Sequence, residues 1–200
     1  MKTTWEDIIA SELKYIDLIG YGSILNTASH EGDTGEPDTV VVSGFQRIYN
    51  LKMAHPNLSD EKIETIRKKY WEKYGVMSLE EARKIWDENY CALNSIYTWK
   101  SSDKVNGVVI RIPRKDFETY MKREEIYDLY TTRYSYIDPE TGEITHNTHL
   151  GYILSAKEEY TIKDGYAFLP YHEFSRTGAY NFWEYFGKMF DETTFRVHKK

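Results

Sequence analysis

An apolar segment that runs directly into a glycine-containing loop most constrains how this chain can fold. Residues 16–20 read Ile-Asp-Leu-Ile-Gly, and Tyr21, Gly22 and Ser23 follow without a break. Glycine lets the backbone approach a ligand closely, and consecutive N–H groups that point the same way form a concave site for a carboxylate or phosphate. Strand-to-glycine turns are also ordinary chain reversals in folded domains. The segment therefore predicts a strand that ends in a loop, and an anion site is the functional interpretation of that loop.

Length and composition indicate one globular domain. The 200 residues are 40% hydrophobic and 29% charged, which is enough for a sizeable core, and the 18 tyrosines are an unusually large number. So many tyrosines indicate either amphipathic packing at the core and its boundary or a pocket lined by aromatic rings. The net charge of −6, without a basic cluster, argues against nucleic acid or an anionic membrane as the main partner. The charge argument does not bear on a small-molecule partner, and the oligomeric state stays open.

Cysteine usage and the N-terminal residues predict a cytoplasmic location. Cys91 is the single cysteine, so no internal disulfide can form, and burial in a core is its expected role. The first residues lack the apolar segment of a secretory signal, and no apolar run is long enough to span a bilayer.

Apolar alternation and β-branched runs predict the strands, and turn-forming residues separate them. The predicted strands cover residues 15–20, 39–43, 44–50, 91–97, 105–112, 129–136 and 143–155. Asn106-Gly107, early in the 105–112 strand, is expected near a turn, and Asp138 to Gly142 predicts a hairpin turn before the last of these strands.

Capping residues and periodicity predict the helices. Residues 5–14 predict a short helix or a mobile arm. Asp116 predicts the N-cap of a helix from Phe117 to about Tyr127, and residues 174–190 predict a long amphipathic helix with Gly178 as a candidate break.

Residues 56–90 differ from the strand-rich remainder and predict a helical hairpin inserted between strands. Ser59 opens the first helix, which runs to about Tyr74, and Gly75 ends it. Ser78-Leu79-Glu80-Glu81 is a capping box for the second helix, which runs to about Asn89.

Four segments in this order carry a resemblance to one family: Tyr21–Leu25, Gly44–Arg47, Asn106–Ile110 and Arg123–Tyr127. The chain resembles the gamma-glutamyl cyclotransferase-like proteins. In that family a Tyr-Gly-Ser loop is followed by a Gly-aromatic-x-Arg strand, a Gly-Val-Val strand and a helix with Leu-Asp-x-x-Glu. The resemblance covers residues 16–55 and 91–155, and the helical insertion at 56–90 lies outside it.

The resemblance implies a mixed α+β domain over residues 1–200, a small mixed β-barrel with flanking helices. It also implies an enzyme that splits a γ-glutamyl amide or amine into 5-oxoproline and a free amine, without metal or organic cofactor. The chemistry is physically simple, because the substrate's α-amine is itself the nucleophile and the enzyme need only fold the substrate for ring closure. One carboxylate can move the proton to the leaving nitrogen, and burial that raises its pKa would favour both steps.

The family's helix motif assigns the catalytic carboxylate to Glu124. In this register Tyr120 lies on the family's leucine and Met121 on its aspartate, a departure that keeps Glu125 as an alternative. Because neighbouring helix residues point about 100° apart, only one of the two carboxylates can face the pocket. The alternative is an ordinary helix on which both carboxylates face solvent.

The resemblance places Tyr21, Gly22, Ser23 and Ile24 at the pocket as substrate-binding residues. Their backbone N–H groups would hold the substrate's α-carboxylate or the developing oxyanion. Tyr127 is assigned to the same pocket as a partner of a polar group, with simple packing as the alternative.

Other polar residues carry weaker hypotheses. Arg47 is expected to brace the barrel, with neutralisation of a buried carboxylate as the alternative. His146 and His149 are three residues apart on a predicted strand, which puts them on opposite faces and does not suit a metal site. No metal ligand is therefore assigned.

The sequence is compatible with three functions. The first is a gamma-glutamyl cyclotransferase-type lyase or acyltransferase, of the kind found in glutathione metabolism. The second is a non-catalytic module that binds a small carboxylate on the same fold, and the third is another amide-cleaving reaction that uses the same carboxylate. The identity of the leaving amine is open among glutathione and other γ-glutamyl compounds.

Overall fold

The computed structural model describes residues 1–11, 13–25, 38–52, 59–72, 75–87, 90–163 and 165–195. The strands are β1 Lys2–Thr3, β2 Tyr15–Gly20, β3 Thr39–Ser43, β4 Phe45–Lys52, β5 Tyr90–Tyr97, β6 Lys104–Pro113, β7 Tyr127–Tyr136, β8 His149–Ala156, β9 Tyr166–Ala167 and β10 Thr194–Phe195. The helices are α1 Trp5–Ala10, α2 Asp60–Ile66, α3 Leu79–Asp87, α4 Arg114–Arg123, α5 Leu169–Phe182 and α6 Glu184–Thr193.

Five strands close into a small barrel in the order β7-β3-β6-β2-β8. The barrel closes because β7 pairs with β3 on one edge and with β8 on the other. All of its pairings are antiparallel except that of β2 with β8. The predicted mixed α+β barrel with flanking helices is confirmed.

A second sheet, ordered β10-β4-β5-β9, packs beside the barrel. Two side chains of β5 join it to β8. The Ser95 hydroxyl donates to the Leu154 carbonyl at 2.6 Å, and the Asn94 side-chain oxygen accepts the Ala156 N–H at 2.8 Å. These bonds attach the second sheet to the barrel through backbone groups of β8.

The segment predicted as a helical insertion forms α2, which continues into a π-helical turn at Arg67–Trp71, and α3. Ser59 caps α2 by accepting the Lys62 N–H, and Gly75 has a φ of +86°. At α3 the Ser78 hydroxyl accepts the Glu81 N–H while the Glu81 carboxylate accepts the Ser78 N–H, which is the predicted capping box. Local capping chemistry thus fixes the ends of both helices.

Asn106 and Gly107, predicted near a turn, both lie inside β6. The chain reverses before β6, where the Asp103 N–H donates to the Lys100 carbonyl. Gly107 is required by packing, since a Cβ there would lie 2.5 Å from the Gly20 carbonyl oxygen. The glycine marks a close approach of two strands, not a reversal.

The helix bounds also differ from the prediction at three places. Helix α4 begins at Arg114 after an N-cap at Pro113, so Asp116 lies in its first turn and is not the cap. It ends at Arg123, so Tyr127 opens β7 and is not helical. The C-terminal helix is interrupted at Trp183, whose backbone is extended, and Gly178 lies inside α5.

Two further predictions can be compared with the structure. The strand after the hairpin turn begins at His149, with only an isolated bridge from Ile137 to Ile144 before it. Residues 5–10 are helical, which resolves the N-terminal alternative in favour of a short helix.

No helix in the described part of the chain has the length and hydropathy needed to cross a membrane.

Candidate functional site

A cavity of about 170 Å³ opens beside the end of β2, and we call it the loop cavity. It lies between the Tyr-Gly-Ser loop, the turn after α4 and the start of α5. Its described lining consists of Leu18, Ile19, Gly20, Tyr21, Gly22, Ser23, Ile24, Leu93, Ile110, Tyr120, Glu124, Tyr127, Leu154 and Tyr171. All six residues that the sequence assigned to the site are in this set, so the structure brings them together around one hollow. Their roles in binding and catalysis stay predictions.

The Tyr-Gly-Ser loop is anchored at both ends. Gly20 pairs with Val108 as the last residue of β2, and the Leu25 N–H closes the loop by donating to the Gly22 carbonyl at 3.0 Å. The Tyr21 hydroxyl donates to the Leu154 carbonyl at 2.8 Å, which ties the loop to β8. The loop is therefore a fixed wall of the cavity.

Glu124 is the first residue after α4, and its backbone is held from both sides. Its N–H donates to the Tyr120 and Met121 carbonyls, and its own carbonyl accepts the Tyr127 N–H at 3.0 Å. The side chain is partly buried and lines the loop cavity. A turn, and not the helix of the prediction, therefore positions this carboxylate.

Glu125 has a different environment. Its side chain is exposed, and its carbonyl accepts a hydrogen bond from the Lys157 amine at 2.6 Å. Of the two carboxylates that the sequence kept as candidates, Glu124 is therefore the one that lines the cavity.

Tyrosine side chains form much of the polar wall. Burial raises the pKa of Tyr21 well above its ordinary value. Burial likewise raises the pKa of Tyr127, and the nearby Tyr21, Tyr171 and Glu124 raise it further. These phenols remain neutral hydrogen-bonding groups at physiological pH.

Two polar residues of the cavity, Tyr171 and Tyr120, were not predicted from the sequence. Tyr171, in the first turn of α5, accepts the Ser23 N–H with its hydroxyl oxygen at 3.3 Å. Tyr120 lines the cavity, while the neighbouring Met121 is buried in the core beneath it. No local pattern marks Tyr171, because packing of a distant helix brings it to the loop.

The described lining contains one carboxylate and no lysine, arginine or histidine. A bound anion would therefore be held by backbone N–H groups and hydroxyls, without a cation in contact. Such neutral donors are an established way to hold a carboxylate or an oxyanion.

Arg47 lies outside the loop cavity and is fully buried. Its guanidinium donates to the side-chain oxygens of Asn106 at 3.0 Å, Thr193 at 3.1 Å and Thr194 at 3.4 Å, and it lies 4.3 Å from the centre of the Phe190 ring. Burial lowers the pKa of this guanidinium to about 9. We call this set the arginine brace, and it agrees with the structural role expected for Arg47.

The remaining candidates take no part in the loop cavity. His149 stacks on the Tyr134 ring with 5.5 Å between centroids, and His146 is exposed. The described residues contain no group of three side chains suited to a metal ion. Cys91 is buried, and desolvation raises the pKa of its thiol to about 11.

Comparison of sequences finds no matching family model and no matching curated protein. Comparison of structures finds the fold in YkqA from Bacillus subtilis, with a TM-score of 0.56 and 13% identity over 94% of this chain and 56% of that one. It is also found in an uncharacterized protein from Homo sapiens, with a TM-score of 0.53 and 10% identity over 88% of this chain and 87% of that one.

A third structure with this fold is a gamma-glutamyl cyclotransferase, with a TM-score of 0.51 and 10% identity over 88% of this chain and 86% of that one. This chain spans only about half of YkqA. At such identities the likeness concerns the fold, and it confirms the fold that the four sequence segments predicted.

Proposed function

From its gamma-glutamyl cyclotransferase-like fold, we propose that this chain releases 5-oxoproline from a γ-glutamyl amide or amine in the loop cavity. The observation that carries the proposal is that one partly buried carboxylate, Glu124, and the Tyr-Gly-Ser loop line the same small hollow. The carboxylate supplies proton transfer, and the loop supplies donors for an anion. The reaction needs both.

The size of the cavity favours a single γ-glutamyl group. A volume of about 170 Å³ is below the ~300–1,000 Å³ of pockets that enclose drug-sized ligands. In the proposal the glutamyl group enters, and the amine portion extends towards solvent. Confinement in this space would hold the α-amine against the γ-carbonyl carbon, which converts ring closure into a favoured intramolecular step.

In the proposed mechanism Glu124 moves one proton. Its carboxylate accepts a proton from the α-nitrogen as that nitrogen bonds to the γ-carbonyl carbon. The carboxylic acid then donates this proton to the departing nitrogen as the original amide bond breaks, so that the leaving group departs as a neutral amine. Backbone N–H groups of the loop would stabilise the oxyanion formed between these two steps.

The same proposal covers the reaction class, the location and the cofactors. The reaction class would be that of a lyase or acyltransferase, as in glutathione metabolism, in a cytoplasmic setting. No metal or organic cofactor is required by the proposed steps. The wall residues described above do not distinguish glutathione from other γ-glutamyl compounds.

The test is to incubate the protein with a panel of γ-glutamyl compounds and to quantify 5-oxoproline by mass spectrometry. The panel contains glutathione, γ-glutamyl amino acids and γ-glutamyl-lysine. We expect release from at least one compound, and a loss of about 10²–10⁴-fold in kcat in Glu124→Gln, because proton transfer contributes on that order.

Glu125→Gln is the matched control, because it makes the same chemical change one residue away on an exposed side chain. It should retain the full rate, and both variants should keep the wild-type melting temperature. Equal activity of Glu124→Gln and wild type would refute the catalytic role. Silence of wild type across the panel would leave a carboxylate-binding module as the better account.

A further inference from the structure

A second cavity opens at the start of α4, and we call it the basic cleft. Its volume is about 560 Å³, and its described lining comes from the end of α1, the start of β2 and the first two turns of α4. The described linings of the basic cleft and the loop cavity share no residue. Glu124 follows the other end of α4, about 15 Å away along a helix of 10 residues. The basic cleft is therefore separate from the site of the proposed reaction.

Backbone contacts fix the walls of the basic cleft relative to one another. Tyr15 pairs with Pro113 where β2 and β6 run side by side, and the Arg114 N–H donates to the Lys14 carbonyl at 3.0 Å. The Arg114 guanidinium also donates to the Ile9 carbonyl, which ties α4 to α1. The side chains of the cleft are thus carried by segments that are hydrogen-bonded to one another.

The polar lining of the basic cleft is mostly cationic. Lys14, Arg114 and Lys115 line it, and Glu118 is the one carboxylate of the described lining. Glu118 is already paired with Lys122 at 2.8 Å, so its charge is partly balanced from outside the cleft. The cleft therefore has an excess of positive charge on a chain whose net charge is −6. Such an excess attracts anions, and lysine and arginine supply the N–H groups that bind phosphate oxygens.

The remaining lining is apolar and includes an exposed aromatic ring. Ile9 and Pro113 contribute aliphatic surface, and Tyr15 is 56% exposed, so its ring is accessible to a ligand. Exposed aromatic rings bind nucleobases by stacking, and this contact tolerates any base. The volume also lies within the ~300–1,000 Å³ of pockets that hold small organic ligands. A ligand that matches the whole cleft combines a planar ring with phosphate groups.

We propose that the basic cleft binds a nucleoside phosphate. Lys14, Arg114 and Lys115 bind the phosphate oxygens, and the base stacks on the ring of Tyr15. An inorganic anion would contact only the cations, whereas an uncharged nucleoside would contact only the ring and the aliphatic surface. The binding site is independent of the reaction proposed for the loop cavity, because it uses none of the residues that line that cavity.

The test is calorimetric titration of the full chain with three probes: adenosine diphosphate, pyrophosphate and adenosine. The buffer contains no Mg²⁺, because the ion would neutralise the phosphates. Adenosine diphosphate should bind more tightly than either fragment, and its affinity should fall as salt is added, since salt screens exposed charges. An affinity for adenosine diphosphate no greater than that for pyrophosphate or for adenosine would overturn the proposal, and so would the absence of binding.

Lys115→Met and Lys104→Met form a matched pair, because each replaces an exposed lysine and changes the net charge equally. Lys115 lines the cleft, whereas Lys104 begins β6 at the end away from it. Lys115→Met should weaken binding of adenosine diphosphate about three- to tenfold, the effect of one charge contact near the surface. Lys104→Met should bind as wild type does. Equal affinities in the two variants would contradict the assigned site.

Tyr15→Leu separates the stacking contact from the phosphate contacts. It keeps an apolar side chain at this exposed position but removes the ring. Binding of adenosine diphosphate should weaken about fivefold or more, because the stacking energy is lost. Binding of pyrophosphate should stay as in wild type. Weaker binding of both probes, or of neither, would overturn the role of the Tyr15 ring.

Glu118→Gln tests the sign of the charge effect. It removes the carboxylate of the cleft and releases Lys122 from its ion pair, and both changes make the cleft more positive. Adenosine diphosphate should bind about threefold more tightly or better, a gain that damage to the fold would not produce. Glu124→Gln changes the loop cavity instead and should bind this probe as wild type does. Unchanged or weaker binding by Glu118→Gln, or altered binding by Glu124→Gln, would contradict the proposal.

Discussion

The arginine brace and the loop cavity are two polar regions beside the same barrel, and they use their polar groups differently. In the brace, the guanidinium of Arg47 is bonded to side-chain oxygens of Asn106, Thr193 and Thr194 and is covered by Phe190. In the loop cavity, the carboxylate of Glu124 and the hydroxyl of Tyr171 border about 170 Å³ of space. Buried polar groups that bond to one another stabilise the fold, whereas polar groups that line a hollow can come into contact with a ligand.

The largest expected effect on stability comes from Arg47→Met. The substitution removes the guanidinium donors of a fully buried side chain. The side-chain oxygens of Asn106 and the threonines then lose a hydrogen-bond donor. We expect a loss of about 3 kcal/mol in the free energy of unfolding, measured by urea titration. The kcat per folded molecule at low temperature should change less than about twofold, since the brace does not line the cavity. A large loss of kcat in the folded variant would contradict the separation of the two regions.

Gly107→Ala should affect both regions, because its Cβ would lie 2.5 Å from the carbonyl oxygen of Gly20, the last residue before the loop. Overpacking of this kind costs about 1–3 kcal/mol and displaces backbone. We expect lower stability and a reduced kcat/KM together. Gly75→Ala is the contrast: its φ is +86° and nothing lies near a Cβ, so it should lower stability only. Full activity in a destabilised Gly107→Ala variant would show that the loop does not depend on this contact.

Alkaline pH should weaken the fold through its buried phenols. Burial raises the pKa of Tyr49, near the brace, and of Tyr21, in the cavity. A pKa raised in the folded state gives stability that is present below pH 10, the ordinary value, and is lost as pH rises above it. The loss is about 1.4 kcal/mol per pH unit for each such tyrosine. The urea concentration at the unfolding midpoint should fall less steeply between pH 8 and pH 11 in Tyr49→Phe than in wild type. Equal slopes in the two proteins would contradict the effect of burial on the tyrosine pKa.

The smallest expected effect comes from Arg176→Met, a matched control for Arg47→Met. Arg176 also contacts an aromatic ring and a polar partner, but its pair with Asp191 lies on the surface, with both side chains more than a third exposed. Surface pairs contribute about 0–1 kcal/mol, so the melting temperature should hardly move. If it falls as far as in Arg47→Met, burial is not what distinguishes the brace.

The sequence predicted those parts of the fold that depend on local patterns. The strands at Tyr15–Gly20 and Thr39–Ser43 and the two helix N-caps of the insertion follow from apolar runs and capping residues that act over a few positions. The anion-loop interpretation also rests on adjacent residues, Tyr21 to Ser23, which do line a cavity.

Features that depend on contacts between distant residues were missed. The composition of Asn106-Gly107 predicts a nearby turn, but it does not predict that Asn106 bonds to Arg47 or that Gly107 packs on Gly20. The helix predicted to run to about Tyr127 ends at Arg123, which leaves the Glu124 carboxylate in a turn. Tyr171 enters the site only because α5 folds back onto the loop.

The most direct measurement of the central claim is a crystal structure of the Glu124→Gln variant with a γ-glutamyl compound bound. We expect the glutamyl group in the loop cavity, with its α-carboxylate against the Tyr-Gly-Ser loop and its γ-carbonyl beside residue 124. A glutamyl group bound at another surface, or one whose γ-carbonyl faces away from residue 124, would contradict the account.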